Sequence, residues 1–348
     1  MAGLRVDAHV HYVSPRVFAA LRRDAARYGV TYLETPAPQV HLPDAPPARP
    51  ILPALSDLDG LRAHRHRQGF DRLVLGPLMD LAGYGLPVEQ GARLSRLVNE
   101  SLAADLAAKE ACWGLATVPL QDGDAAAAEL RYAVRHLGLR GAMIDTNVRG
   151  RSLAQAPLEP FWAEAQALGV PVVLHPFAVP ALERLRPYYL HNVVGYPLET
   201  TLAAAELVFG GVLRRFPGLR VVLVHGGGFL PYQIGRLERA YRAREEARVH
   251  LDVSPAQFLQ AFYYDALTHH PAALRFLVEQ VGAARVLLGS DYPFSMADPA
   301  PGATLDAAGL APEARQMVAG GTALALFAPH TGGPASPRPA GPHHGEEE

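Results

Sequence analysis

The chain has 348 residues, 49% of them hydrophobic, which is enough for one large core or two ordinary ones. Its 32 basic and 34 acidic side chains leave a net charge of −2, so the electrostatic footprint of a nucleic-acid or anionic-membrane binder is missing. A single cysteine, Cys112, excludes an internal disulfide framework and a cysteine-based zinc site, while Arg5 and Asp7 interrupt the apolar run that a signal peptide requires. No stretch approaches the roughly 18 apolar residues of a membrane span, and a cytoplasmic location is expected.

Eight short aliphatic or β-branched runs follow one another along the chain, at residues 4–9, 71–78, 112–120, 139–148, 170–177, 219–225, 262–268 and 285–290. Continuous runs such as VPVVLH and LRVVLVH suit strands buried on both faces. Amphipathic segments lie between them. In residues 88–110, Leu94, Leu97, Val98, Leu102 and Leu106 recur at helical spacing, and Asp122 is placed to cap an alanine-rich helix over 124–137. Eight strand–helix alternations in under 300 residues predict an α/β fold, a closed (β/α)8 TIM barrel over residues 1–328. An insertion at 13–54 follows the first strand. Its first half, 15–28, reads as a helix, and its second half is too proline-rich for a helix or a central strand; such loops serve as lids or substrate walls. The tail at 329–348, rich in Pro, Gly and His and ending in GEEE, is expected to be disordered.

Barrel enzymes carry their chemistry at the C-terminal ends of the strands. His9 ends the first strand, and His11 two residues later shares its face, since side chains at i and i+2 are separated by two rises of roughly 3.3 Å. His175 ends the fifth strand, His225 the sixth, and Asp291 follows the eighth. A His-x-His pair is common by chance, a lone buried histidine is ordinarily a hydrogen-bonded core residue, and a lone aspartate is ordinarily a loop cap. The shared position decides between the readings, because the other eleven histidines, among them His64, His66, His136, His250, His343 and His344, follow no such rule. Imidazole and carboxylate donors suit one divalent metal, Zn2+ first, with Mn2+ or Fe2+ as alternatives. Lys109 is the only lysine and precedes the third strand, so neither a carbamate bridging two metals nor a Schiff base has a barrel lysine to form on.

With VDAHVH, WGLATVPLQ, VVLHPF, VGYPLETT, FPGLRVVLVHGGGFLPYQIGRLERAY, FYYDALTHHP and VLLGSDYPF in this order, residues 4–327 resemble the amidohydrolase-related family. The likeness is closest to its branch of non-oxidative decarboxylases, which includes the 2-amino-3-carboxymuconate-6-semialdehyde and γ-resorcylate enzymes. The resemblance implies His9, His11 and His175 as metal ligands, Asp291 as a further ligand or proton carrier, and His225 as the catalytic acid–base. It also implies Arg49 as a partner for a substrate carboxylate, Arg236 as an arginine lent to the neighbouring active site of a homodimer, and His269 as a residue behind the ligands. Asn192 stands where the branch has tryptophan, His270 where it has aspartate, and Arg65-His66 where it has Met-Asp. These departures leave the metal residues intact and bear on the substrate.

The expected activity is decarboxylation of a small aromatic or dienoic carboxylic acid, with His225 and Asp291 moving protons. Metal-dependent hydrolysis of a lactone or amide is the alternative, a hydratase comes third, and an inactive scaffold is disfavoured because all five positions are filled.

Overall fold

The parallel strands run in chain order around a ring: β1 (Val6–His11), β2 (Arg72–Gly76), β3 (Cys112–Gly114), β4 (Ala142–Ile144), β5 (Pro171–Leu174), β6 (Arg220–Leu223), β7 (Tyr263–Asp265) and β8 (Val286–Leu287). They are seen in a computed structural model that describes residues 3–34, 37–43, 48–155, 157–179 and 182–329. β1–β3 form one arc and β4–β8 another, each neighbour paired in parallel. Bridges between Ala116 and Ala142 and between Val10 and Tyr292 join the arcs, and Ala8 N–H donates to the Leu288 carbonyl at 2.8 Å. The ring is therefore closed, as the eight alternations predict.

Local chemistry places these elements. Val172, Val173 and Leu174 of β5 and Val221 to Leu223 of β6 are buried, as expected for strands covered on both faces. Outside lie α1 (Pro15–Asp24), α2 (Leu58–Arg67), α3 (Val88–Leu106), α4 (Gly123–Arg135), α5 (Glu159–Leu168), α6 (Tyr196–Phe209), α7 (Val212–Arg215), α8 (Leu230–Ala243) and α9 (Pro271–Val281). α3 buries Leu94, Val98 and Leu102, and Asp122 caps α4 by accepting from Ala125 N–H at 2.8 Å. β1 runs two residues further than the apolar run suggests, so both His9 and His11 lie within the strand and are buried.

The insertion is packed against the barrel. After α1 and a 3-10 turn, Thr31–Leu33 pairs antiparallel with Gln39–His41, a peripheral hairpin that the proline-rich sequence does not announce. Val17, Phe18, Leu21, Val30, Val40, Ile51 and Leu55 bury themselves against Leu78, Leu81, Leu86, Leu94 and Val98, forming a second small core. Of the expected tail, residues 330–348 lie outside the described residues. Among the described residues, no helix is long and apolar enough to cross a membrane.

Beneath the mouth, Asp7 of β1 and Arg65 of α2 form an ion pair at 2.7 Å with both side chains essentially inaccessible. Ser290 Oγ donates to the same carboxylate at 2.7 Å, and the guanidinium lies over the Phe70 ring at 4.5 Å. Burial pushes the Asp7 carboxyl up against the pull of Arg65, so the pair depends on both partners. Removing one partner of a buried pair costs about 3–5 kcal/mol. Arg65→Met should lose stability of that order in chemical denaturation, and Asp7→Asn/Arg65→Met should recover much of it. A loss below about 1 kcal/mol for the single variant would show that the pair is not holding β1 to α2.

Candidate active site

Two histidines on β1 set the geometry. His9 Nδ1 lies 2.7 Å from Asp265 Oδ2, and His11 Nδ1 lies 3.1 Å from the Pro77 carbonyl oxygen. Oxygens of these kinds only accept, so each Nδ1 carries the proton and each Nε2 turns inward. The two Nε2 atoms are 3.2 Å apart, a spacing that suits two nitrogens each about 2.1 Å from one ion. An imidazole that donates its far N–H to a carboxylate or carbonyl is the usual form of a metal-binding histidine.

The remaining donors close over this pair. Asp291 Oδ1 lies 3.1 Å from His11 Nε2, 3.3 Å from His9 Nε2 and 3.7 Å from His175 Nε2, while Oδ2 faces His225 Nε2 at 3.7 Å. Donor atoms of His9, His175, His225 and Asp291 all fall within 4.8 Å of one another. Asp291 Oδ1 and both ring nitrogens of His175 are buried without a hydrogen-bond partner. Leaving such atoms unpaired is costly, and a shared cation would satisfy Asp291 Oδ1 together with His175 Nε2, the ring nitrogen that faces it. The residues therefore fit a single divalent ion.

The charges agree. Burial alone would depress the pKa of His9, but Asp291 and Asp265 reverse this and raise it to about 10, so the two carboxylates call for positive charge at this point. For His175 burial dominates and the pKa falls to about 3, leaving a neutral imidazole with a free lone pair. Burial also opposes ionisation of Asp291, yet the surrounding imidazoles, His9 foremost, hold its carboxyl well below the usual range.

Backbone strain places two of these side chains. His225 and Asp291 have φ values of 55° and 63°, and His269 at the same mouth has 54°. Non-glycine residues rarely adopt this region, and such strain gathers at functional sites. The glycines after His225 permit its turn: a Cβ on Gly227 would lie 2.5 Å from the Tyr264 ring, and one on Gly228 would lie 2.1 Å from the Pro197 carbonyl.

Two adjoining lobes open above the centre, of about 410 and 300 Å3, sharing Asn192, Tyr196, Asp291 and Met296. The first is lined by His225, Thr268, His269 and Phe276, the second by His11, His175, Arg49, Asp80, Phe177 and Phe294. Ile51, Leu52 and Leu55 also line the second lobe, so the segment from Arg49 onward walls the site. Arg49 and His269 thus face the site, whereas Arg236 is exposed on α8 and lines neither lobe. Among the departures from the decarboxylase pattern, Asn192 borders both lobes, Arg65 pairs with Asp7, and His270 caps α9 by accepting from Ala272 N–H at 3.2 Å.

Two carboxylates went unread in the sequence. Asp265 ends β7 and receives His9 Nδ1–H, Gly226 N–H at 2.9 Å and Leu267 N–H at 3.1 Å, tying three strand ends together. Asp145 follows β4 and accepts from the N–H groups of Thr146, Phe177 and Ala178, which fixes the turn after His175. Burial lifts its pKa to about 6 despite these bonds. An aspartate at the end of a buried strand, in FYYDAL or AMIDTN, is the signal that would have found both.

The amidohydrolase family model matches residues 6–328. Over 243 residues the chain is 34% identical to a 2-amino-3-carboxymuconate-6-semialdehyde decarboxylase of Dictyostelium discoideum, covering 69% of this chain and 68% of that protein. Over 250 residues it is 33% identical to a 6-methylsalicylic acid decarboxylase of Penicillium expansum, covering 69% and 76%. The crystal structure of a 5-carboxyvanillate decarboxylase from Sphingomonas paucimobilis superposes with a TM-score of 0.79 at 26% identity, over 93% of this chain and 98% of the other. With its barrel closed and its mouth built from strand-end histidines and an aspartate, this chain belongs to the amidohydrolase family.

Proposed function

We propose that this chain is a metal-dependent non-oxidative decarboxylase, a carbon–carbon lyase acting on a small aromatic or dienoic carboxylic acid. One observation carries the division of labour: Asp291 presents Oδ1 to His9, His11 and His175 and Oδ2 to His225. His9, His11, His175 and Asp291 hold the ion in this reading, and His225 is the acid–base partner. Its imidazole is the most exposed of the four and lines the larger lobe. Zn2+ suits these donors, with Mn2+ and Fe2+ as alternatives. Bound here, a divalent ion supplies Lewis acidity that draws electron density from a substrate oxygen.

The chain's own groups do the rest. Apolar walls from Ile51, Leu55, Leu78, Phe177 and Phe294 keep water from the reacting carbon. The bond to the carboxyl carbon breaks, CO2 leaves, and the electron pair stays on the ring or diene carbon. His225 or Asp291 delivers the proton that forms the new C–H bond. Arg49 and His269 are assigned to the substrate, one on each lobe. Decarboxylase activity in the curated relatives supports the choice of reaction.

We also infer a cytoplasmic homodimer, with Arg236 reaching the partner's mouth. Exposed apolar side chains at Val193, Leu198 and Leu202, with Tyr232 at the start of α8, support this assembly. Sedimentation should give a dimer, and a monomer at micromolar concentration would remove the proposed role of Arg236.

Metal-loaded protein incubated with hydroxybenzoic and dienoic acids should release CO2. Hydrolysis of lactones or amides without CO2 release would replace the lyase reading. Ligand and acid–base roles separate by substitution. His175→Ala should lose metal and turnover together, whereas His225→Ala should keep its metal while kcat falls by about 10²–10⁴. Unchanged metal content in His175→Ala, together with loss in His225→Ala, would invert the assignment.

A further inference from the structure

Arg49 is the only arginine or lysine lining either lobe among the described residues, yet it is already engaged. Its Nε donates to Asp80 Oδ1 at 3.0 Å and its Nη2 to Asp80 Oδ2 at 2.9 Å, a two-point pair across 31 residues. Asp80 lines the same lobe, and its side chain is 14% exposed. The guanidinium is further held between Phe177 and Phe294, with its carbon 5.7 and 5.8 Å from the two ring centroids. An unpaired arginine at this position would be a strong anchor for a carboxylate, because its fork matches two oxygens. Here that edge of the fork is filled, and any anion reaching the remaining N–H groups would also meet the Asp80 charge in a partly dry cavity, where like charges repel more strongly than in water.

We propose that Asp80 sets the substrate class by neutralising Arg49. The lobe then accepts a monocarboxylic acid whose distal substituent is neutral, such as a hydroxyl, methoxy or methyl group, and rejects a second carboxylate there. The free N–H groups of Arg49 donate to a neutral oxygen at a cost far below that of placing a carboxylate beside Asp80. Asp80 is a positioning residue: it acts on the substrate through Arg49. This inference rests on the decarboxylase reading and adds the charge of the distal group to it.

The test compares the metal-loaded wild type with Asp80→Asn, which keeps size and an acceptor oxygen while removing the charge. Kd values for 2-hydroxybenzoate and for its 4- and 5-carboxy counterparts are measured by calorimetry, independently of turnover. The wild type should favour the monocarboxylate. In Asp80→Asn the ratio of the two Kd values should move toward the dicarboxylates by roughly tenfold or more. A purely structural role for Asp80 would weaken both ligands alike and leave the ratio unchanged, which overturns the proposal. Wild-type preference for a dicarboxylate overturns it without any variant. CO2 release is followed on the same samples: a shifted ratio with no CO2 release from any acid would reject the decarboxylase reading while leaving the charge selection intact.

Discussion

Two imidazole nitrogens turn their lone pairs toward each other 3.2 Å apart inside the mouth of the barrel, and the surrounding structure holds them there. Such an arrangement is unfavourable unless positive charge lies between the nitrogens. Asp265 and the Pro77 carbonyl fix the two tautomers from behind, and Asp291 brings the carboxylate from the front. Each of these partners comes from a different strand end, so the ring must be closed for the site to exist. Below it, Asp7, Arg65 and Ser290 lock β1 to α2 and to the end of β8, one side-chain layer from His9. Strain at His225 and Asp291 is sustained by that closed ring, which leaves these two turns little freedom to relax.

The parts legible in the sequence were those with a local signature. Apolar runs such as those of β5 and β6 mark the strands because residues covered on both faces are mostly apolar, and the histidines at strand ends stand out against that background. Asp122 was readable as a cap because capping is decided within four residues. What stayed hidden depends on contacts across the ring. Asp265 is one carboxylate among 34 acidic side chains, and only the placement of His9 from 256 residues away gives it a role. The same holds for Asp145, whose bonds run to the turn after β5. The pairing of Asp80 with Arg49 turns a residue that reads as a free cation into half of a neutral pair. Proline content hid the hairpin of the insertion, since its two strands need only three residues each.

Asp291 links metal binding to chemistry in this account. One of its oxygens faces His9, His11 and His175, and the other faces His225, the proposed acid–base group. The insertion serves the same centre from outside, because its small core positions Ile51 and Leu55 against the lobe that Arg49 and Asp80 share. In the proposed reading, substrate charge, water exclusion and ion binding fall to different segments that line one cavity.

His9, His11, His175 and Asp291 are proposed to bind a single ion. Anomalous scattering from crystals of zinc-loaded protein, recorded at the metal absorption edge, tests it directly. One peak per chain is expected, within about 2.0–2.2 Å of His9 Nε2, His11 Nε2, His175 Nε2 and Asp291 Oδ1. A peak elsewhere, no peak, or a second peak within about 4 Å of the first, as in two-metal centres, would contradict it.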